Sequence, residues 1–275
     1  MLDLIFLIIV LIYLITASLY DIKTREVPDF LSYSLLAIAL FFSLSKSIYF
    51  LTFSFILQSL FGMLIFLLLS FILYYSKQWG GGDAKLLIAL GASFPVYPEI
   101  LLQYFSPNLS MPFQAILLIN LAVFGSLYSI LYAILVVIKN HSLKNFNKKY
   151  LILLYLSLLL FVISFFLEIT FSLLLILVAL LALYPFLYHF IKIFEKNFMN
   201  KTIPLSKVTE GDWLTENVYK NKKLILSKNL PGLTLQDIKR LKSLKIKQVK
   251  IKYGMPFIPS FLIAFIISLI IGSLI

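Results

Sequence analysis

The stretch LDLIFLIIVLIYLITASLYDIKTREVPD (Leu2–Asp29) changes from an almost purely apolar run to a cluster of charges within a few residues. Its first part, Leu2–Tyr20, has the length of a bilayer-spanning helix, which needs about 20 residues. Within this part only Asp3 is charged, and the basic residues Lys23 and Arg25 follow the apolar run. A secretory signal peptide has the reverse order. The stretch therefore predicts a first transmembrane helix with its N terminus outside.

Similar apolar runs recur along the whole chain. Its 275 residues are 61% hydrophobic, with a mean hydropathy of +0.99. This composition indicates an α-helical polytopic membrane protein. We predict about eight transmembrane helices, within a range of six to eight, with a hairpin break near Glu168 between the sixth and seventh. The predicted helices are Leu2–Tyr20, Phe30–Leu44, Tyr49–Tyr75, Ala84–Phe105, Pro112–Ile138, Leu151–Leu167, Thr170–Ile191 and Phe257–Leu274.

Basic residues are concentrated on one side of these helices. The segment after the seventh helix carries fifteen Lys or Arg residues, whereas the opposite side has only Lys46. By the positive-inside rule, the basic connections face the cytoplasm, and both termini of this multi-pass cell-membrane protein lie outside. The basic residues of the other connections are Lys23, Arg25, Lys77, Lys85, Lys139, Lys144, Lys148 and Lys149.

Several kinds of site are excluded or disfavoured by composition. The chain has no cysteine, which excludes disulfides, thiol nucleophiles and Cys-based zinc sites. His141 and His189 are far apart in sequence among basic or apolar neighbours, so we expect no metal and no cofactor. The net charge of +12 is concentrated on the cytoplasmic side. That distribution favours the lipid bilayer as a partner over nucleic acid.

A polar segment before the last helix predicts a small cytoplasmic α+β domain. KKLILSK (Lys222–Lys228) and IKQVKIK (Ile246–Lys252) alternate like strands. Between them, Thr234 is a plausible N-cap of a short amphipathic helix, with Asp237 at its third position. We therefore divide the chain into a helical bundle (residues 1–196), a small domain (197–252) and a C-terminal helix segment (253–275).

Two aspartates lie at the same predicted depth. Asp21 ends the first helix on the cytoplasmic side, and Asp83 begins the fourth. If their carboxyls meet, one tends to hold a proton while the other stays charged. Such a pair can activate water and polarise a peptide carbonyl, although an interfacial charge at Asp21 and a helix cap at Asp83 remain alternatives.

The segment GGGDAKLL (Gly80–Leu87) places three glycines directly before Asp83. Glycines allow a close backbone approach, and the first turn of a helix favours an anion. A plain loop followed by a cap would use the same residues. Lys85 either orients the charge of Asp83 or extends to the membrane surface.

At these residues the sequence resembles the GxGD membrane aspartyl proteases, specifically the type IV prepilin peptidase and archaeal preflagellin peptidase family. Gly80, Gly82 and Asp83 occupy the defining GxGD positions, and YDIKTREVPDFLS (Tyr20–Ser32) is similar to the segment of the first aspartate. A third block (Gly232–Phe265) resembles the C-terminal part of archaeal members. Its family-like positions are Gly254, Pro256, Phe257 and Pro259.

The resemblance implies an aspartyl endopeptidase that removes the short basic leaders, called class III signal peptides, of pilin-like or archaellin precursors at the cytoplasmic face. It further implies no N-methylation, because the chain lacks the cysteine-rich domain that accompanies methylation in bacterial members. The implied catalytic residues are Asp21 and Asp83, supported by Gly80, Gly82 and Lys85. Glu26 and Asp29 are candidates for attracting the basic leader.

Two alternatives remain open from the residues. Presenilin-type intramembrane proteases share the YD and GxGD letters, but they carry a Pro-Ala-Leu step that this chain lacks. A proton- or cation-coupled transporter would place acidic residues deeper in its helices. Neither a deep acidic residue nor a repeat relating two halves is evident.

Overall fold

The computed structural model describes residues 2–76, 78–139, 147–220 and 222–274, so Lys77, His141 and Lys144 lie outside the described residues. By contacts between residues, the chain divides into two compact units. The first comprises Met1–Ile130 with Gly254–Ile275, and the second comprises Leu131–Tyr253. The domain boundaries drawn from the sequence stay predictions.

The predicted class, an α-helical polytopic membrane protein with a small α+β part, is confirmed. Among the described residues, five helices have the length and composition to cross a membrane. These are α1 (Leu2–Thr24), α2 (Asp29–Tyr49), α3 (Ser54–Tyr75), α5 (Phe113–Lys139) and α7 (Ile169–Phe194). The other elements are α4 (Gly81–Ser93), α6 (Lys148–Ser164), β1 (Asn200–Pro204), β2 (Val218–Lys220), β3 (Lys223–Leu226), α8 (Leu235–Ser243), β4 (Gln248–Lys252) and α9 (Ile258–Ile270).

The fourth helix is shorter than the predicted Ala84–Phe105. Helix α4 has only 13 residues and ends at Ser93, which at 1.5 Å per residue gives about 20 Å, short of the ~30 Å apolar core of a bilayer. Pro95 explains this end, because a proline disfavours helical geometry at the preceding residue, here Phe94. A short 3₁₀ turn, Glu99–Gln103, follows instead.

Helix α4 is fastened to α3 by small residues. A Cβ built on Gly91 would lie 2.7 Å from the carbonyl oxygen of Gly62, so the two backbones touch at this crossing. On either side of it, Ser70 donates a hydrogen bond to the Ala84 carbonyl (3.0 Å) and Ser59 donates to the Ala92 carbonyl (2.7 Å). Small residues of this kind let membrane helices approach closely.

Helix α9 packs against α1 and is fixed at its C-terminal end by α5. The side chain of Asn120 is fully buried, and its Nδ2 donates to both Ser268 Oγ and the Gly272 carbonyl, each at 2.9 Å. Gly272 has a φ of +80°, and a Cβ there would lie within 2.8 Å of three Asn108 backbone atoms. These contacts set the axial position of α9, whose other end contacts Asp21.

In the second unit, the helices α6 and α7 form a hairpin, as the break near Glu168 predicted. The polar part contains two antiparallel strand pairs, β1 with β4 and β2 with β3. The capping box predicted at Thr234 is confirmed, because its Oγ1 accepts the Asp237 N–H and Asp237 Oδ2 accepts the Thr234 N–H. A separate core of Leu, Ile and Val side chains lies beneath these elements.

Candidate active site

Asp21 lies in the last turns of α1 and points to the start of α9. Its side chain is buried, with 5% of the residue's surface exposed. The backbone N–H of Ile258, the first residue of α9, donates to Asp21 Oδ2 at 2.8 Å. The N-terminal end of a helix carries a partial positive charge, which partly offsets the cost of burying the anionic carboxylate. The third family-like block, far away in sequence, thus contacts the first aspartate directly.

Arg25 makes a second link between the same two segments. It follows α1 with a φ of +61°, a left-handed conformation that is uncommon for a residue with a long side chain. Its Nη1 donates to the carbonyl of Gly254, four residues before α9 begins. From the sequence, Arg25 indicates only which side of the membrane is cytoplasmic. Neither its backbone conformation nor its contact with a residue 229 positions away leaves a local sequence signal.

Asp83 occupies the first turn of α4, as its position after the glycines predicted. Its Oδ2 accepts a hydrogen bond from the Gly80 N–H at 3.0 Å. A Cβ on Gly80 would lie 3.3 Å from that same oxygen, and one on Gly82 would lie 3.1 Å from the Val27 Cβ. The glycines therefore let the start of α4 pack tightly against the turn that follows Asp21 in the chain.

The two carboxyls lie close enough to influence each other. Burial raises the pKa of the Asp83 carboxyl to about 7, and the charge of Asp21 contributes to the increase. Near neutral pH, Asp83 can therefore hold a proton while its neighbour is charged. One carboxylate and one carboxylic acid side by side can act as general base and general acid.

Trp79 connects the glycine segment to α9. Its ring lies 5.6 Å from that of Phe257 and 5.3 Å from that of Phe261, measured between centroids. The segments of both aspartates therefore contact the start of α9. No sequence pattern predicts the packing of Trp79 against α9, although its position directly before GGGD marks it as a candidate site residue.

Of the other candidate residues, Lys85 lies on α4, Glu26 lies in the turn after α1, and Asp29 begins α2. Lys85 Nζ pairs with Asp29 Oδ1 at 2.6 Å and lies 5.4 Å from the centre of the Tyr33 ring. Lys85 is therefore engaged by Asp29, a partner that the sequence did not suggest. Glu26 is exposed in the turn between α1 and α2. Whether Glu26 and Asp29 attract a leader stays a prediction.

The contact between Val27 and Gly82 offers a direct check of the geometry that unites the aspartate segments. We expect the double variant Val27→Cys/Gly82→Cys to form a disulfide on mild oxidation, because disulfide-bonded Cβ atoms lie about 3.5–4.5 Å apart and the chain has no other cysteine. A mobility shift on non-reducing gels would report the bond. The matched pair Val27→Cys/Gly81→Cys, displaced by one residue, should cross-link far less; equal cross-linking would contradict the packing.

Arg25 provides a test of the link between α1 and α9. For the peptide cleavage that the resemblance implies, we expect Arg25→Gln to lower kcat roughly tenfold with little change in KM, because a loosened Ile258 N–H misplaces Asp21 by a fraction of an ångström. Lys23→Gln, which removes the same charge two residues away, is the control. Equal kcat for both variants, or a change confined to KM, would show that Arg25 does not position the aspartate.

Comparisons with known proteins relate part of this chain to one family. Residues 8–139, which include both aspartates, match the type IV leader peptidase family. The chain is 36% identical over 84 residues to a preflagellin peptidase of Methanococcus maripaludis and 33% identical over 84 residues to one of Methanocaldococcus jannaschii. Each match covers 30% of this chain and 36% of the relative. No solved structure matches significantly. Through residues 8–139, the chain is similar to the type IV leader peptidase family.

Proposed function

We propose that this membrane protein is an aspartyl endopeptidase that removes class III signal peptides from prepilin- or archaellin-type precursors. One observation carries the proposal: Asp21 and Asp83, which come from different helices, interact electrostatically, and the segments of both contact the start of α9. Both relatives named above are preflagellin peptidases. Precursors with basic leaders are therefore the expected substrates.

The two carboxyls have different proton-transfer roles in hydrolysis. The charged Asp21 takes a proton from water as the water oxygen adds to the scissile carbonyl carbon, while protonated Asp83 gives its proton to the carbonyl oxygen. The tetrahedral diol then collapses. Asp21 returns its proton to the leaving nitrogen, a diol hydroxyl returns one to Asp83, and the C–N bond breaks. Both groups regain their starting states.

The site is assigned to the cytoplasmic face. The turn after α1 carries Lys23 and Arg25, and the polar part of the second unit is rich in lysine, so the positive-inside rule puts these segments in the cytoplasm and both termini outside. A basic leader would lie there before its hydrophobic helix enters the membrane. The exposed Glu26 carboxylate is suited to attract it. Without cysteine, the chain lacks the domain associated with methylation, so the new N terminus stays unmodified.

Cleavage of a precursor by the full chain in membranes tests the function. Wild-type protein should cut prepilin- and preflagellin-like precursors just before their hydrophobic helix, and the double variant Asp21→Asn/Asp83→Asn is the matched negative control. Mass spectrometry locates the cut and detects any added methyl group. Cleavage by the double variant, or no cleavage of a broad precursor panel, would reject the proposal. A cut inside the hydrophobic helix would instead favour an intramembrane protease.

The pH dependence of cleavage follows from the raised pKa of Asp83. Its carboxyl is protonated below about pH 7 and ionised above it, so the general acid is lost as pH rises. We expect kcat/KM to fall about tenfold per pH unit well above pH 7, measured on the reconstituted protein. The variant Asp29→Asn should show the same fall in kcat/KM above pH 7. A rate that stays flat up to pH 9 would contradict Asp83 as the acid.

A further inference from the structure

Two lysine-bearing turns of the small domain meet at one place on its surface. The Nζ of Lys220, at the end of β2, donates to the carbonyl of Leu244 at the C-terminal end of α8, at 2.7 Å. This bond brings the C-terminal end of β2 beside the chain that follows α8. The lysines within three residues of either bonded residue along the chain, called the lysine patch below, are Lys220, Lys222, Lys223, Lys242, Lys245 and Lys247.

Most acidic residues of the same segment are engaged elsewhere. Glu195 pairs with Lys252, and Glu216 pairs with Lys250. Asp212 and Asp237 accept backbone hydrogen bonds within their own turns, from Thr209 and Thr234. The patch therefore keeps a strong positive potential, and five of its six lysines are exposed, Lys220 being half-buried.

Two lysines of the patch occupy backbone conformations that favour glycine. Lys222 has a φ of +63° and Lys245 a φ of +55°. Lys245 follows α8 where the Ile246 N–H returns to the Leu241 carbonyl at 3.1 Å, a C-terminal turn that usually ends in glycine. Lysine at both left-handed positions is conformationally unfavourable, which suggests that the charge itself is useful there.

An exposed apolar pair lies next to these charges. Tyr219 of β2 and Leu224 of β3 are cross-strand partners, so their side chains share one face of the hairpin. They are 57% and 47% exposed. An aromatic and an aliphatic side chain flanked by lysines have the composition of a segment that lies in the headgroup region of a bilayer.

We propose that the lysine patch, with Tyr219 and Leu224, is a docking surface for the anionic headgroups of the membrane. Charge complementarity supports this occupant, because lysines near an anionic bilayer are attracted to lipid phosphates. Tethering supports it further: the apolar helix α7 ends at Phe194, and β1 begins at Asn200. A surface tied to the bilayer by so short a connection meets lipid at a high effective concentration.

A fluorescent label on Leu224→Cys tests the docking, since the chain has no native cysteine. The full chain is placed in nanodiscs of phosphatidylcholine, alone or mixed with phosphatidylglycerol. With the anionic lipid we expect blue-shifted emission and protection from an aqueous quencher, both reversed by high salt. Equal emission in the two kinds of nanodisc would overturn the proposal. So would a shift that appears only when an oligonucleotide is added, because the patch would then bind nucleic acid.

Matched variants identify the residues responsible. Lys222→Gln/Lys245→Gln should reduce protection from the quencher severalfold, whereas Lys207→Gln/Lys239→Gln, with the same charge change outside the patch, should retain it. The variant Lys222→Gly/Lys245→Gly removes the same two charges and separates their loss from misfolding, because glycine suits both backbone conformations. This variant should keep or raise the thermal stability of the domain and still lose docking. Retained docking in the glycine variant would exclude the patch as the lipid surface.

Discussion

Replacing Asp83 or Asp21 by asparagine is expected to lower the cleavage rate roughly 10³-fold or more, because each variant loses an essential proton-transfer group. Asparagine has nearly the same shape as aspartate, and its side-chain oxygen can still accept the local backbone hydrogen bond. At Asp83 that donor is Gly80, and at Asp21 it is Ile258. The variants should therefore fold, and the loss should appear in kcat. Single-turnover cleavage in membranes measures it.

Two neighbouring acids provide controls of equal charge. Asp29→Asn breaks the pair with Lys85 but leaves the aspartate pair intact, so kcat should change by no more than a few-fold, in line with the small contribution of an exposed ion pair. Glu26→Gln should raise KM for a basic leader and leave kcat nearly unchanged. If Asp29→Asn is as inactive as Asp83→Asn, the ion pair belongs to the catalytic machinery. If both aspartate variants still cleave, the two-aspartate mechanism is wrong.

The sequence was sufficient to place the aspartates at helix ends, because apolar runs and the charges beside them define membrane boundaries. It also identified the glycine segment, since three glycines before an acidic residue in a membrane chain have few structural explanations. The same reasoning located the break before α7 and the capping box at Thr234. Each of these features depends on neighbours within a few residues.

Features that depend on distant residues were missed. The hydrogen bond from Ile258 to Asp21 joins residues 237 apart, and no local pattern encodes such a pairing. The ion pair of Lys85 with Asp29 is another example. Asp29 is 56 residues from Lys85, whereas Asp83 is close to it in sequence, so the local sequence points to Asp83 as the partner. The early end of α4 was missed for a different reason. The apolar run continues beyond Pro95, and hydropathy alone does not detect the break.

The start of α9 contacts the segments of both aspartates. It donates to Asp21 through Ile258, and it contacts Trp79 through Phe257 and Phe261. Its far end is fixed by Asn120. A C-terminal helix so held can transmit a packing change in the bundle to the carboxyls. We therefore expect the stability of the bundle and the geometry of the site to be coupled, and the crossing of α3 with α4, the helix that carries Asp83, is a place to test this.

Gly91→Ala is expected to destabilise the bundle strongly for a change of a single methyl group. Its new Cβ would lie 2.7 Å from the Gly62 carbonyl oxygen and 2.8 Å from the Phe66 ring, and neither the backbone nor the buried ring can give way easily. Overpacking of this kind costs about 1–3 kcal/mol, which corresponds to a fall in Tm of roughly 2–12 °C for a chain of this size. Because α4 carries Asp83, cleavage should fall as well.

Gly81→Ala is the control, since it adds the same methyl group to the same helix. Its Cβ would lie 3.8 Å from the Tyr74 ring, an ordinary contact, and alanine favours helix over glycine by up to about 1 kcal/mol. Thermal unfolding in detergent, followed by circular dichroism, should therefore show a lower Tm for Gly91→Ala and an equal or higher one for Gly81→Ala. Equal Tm values would mean that α3 and α4 do not touch at Gly62. A lower Tm with wild-type cleavage would separate the packing of the bundle from the positioning of Asp83.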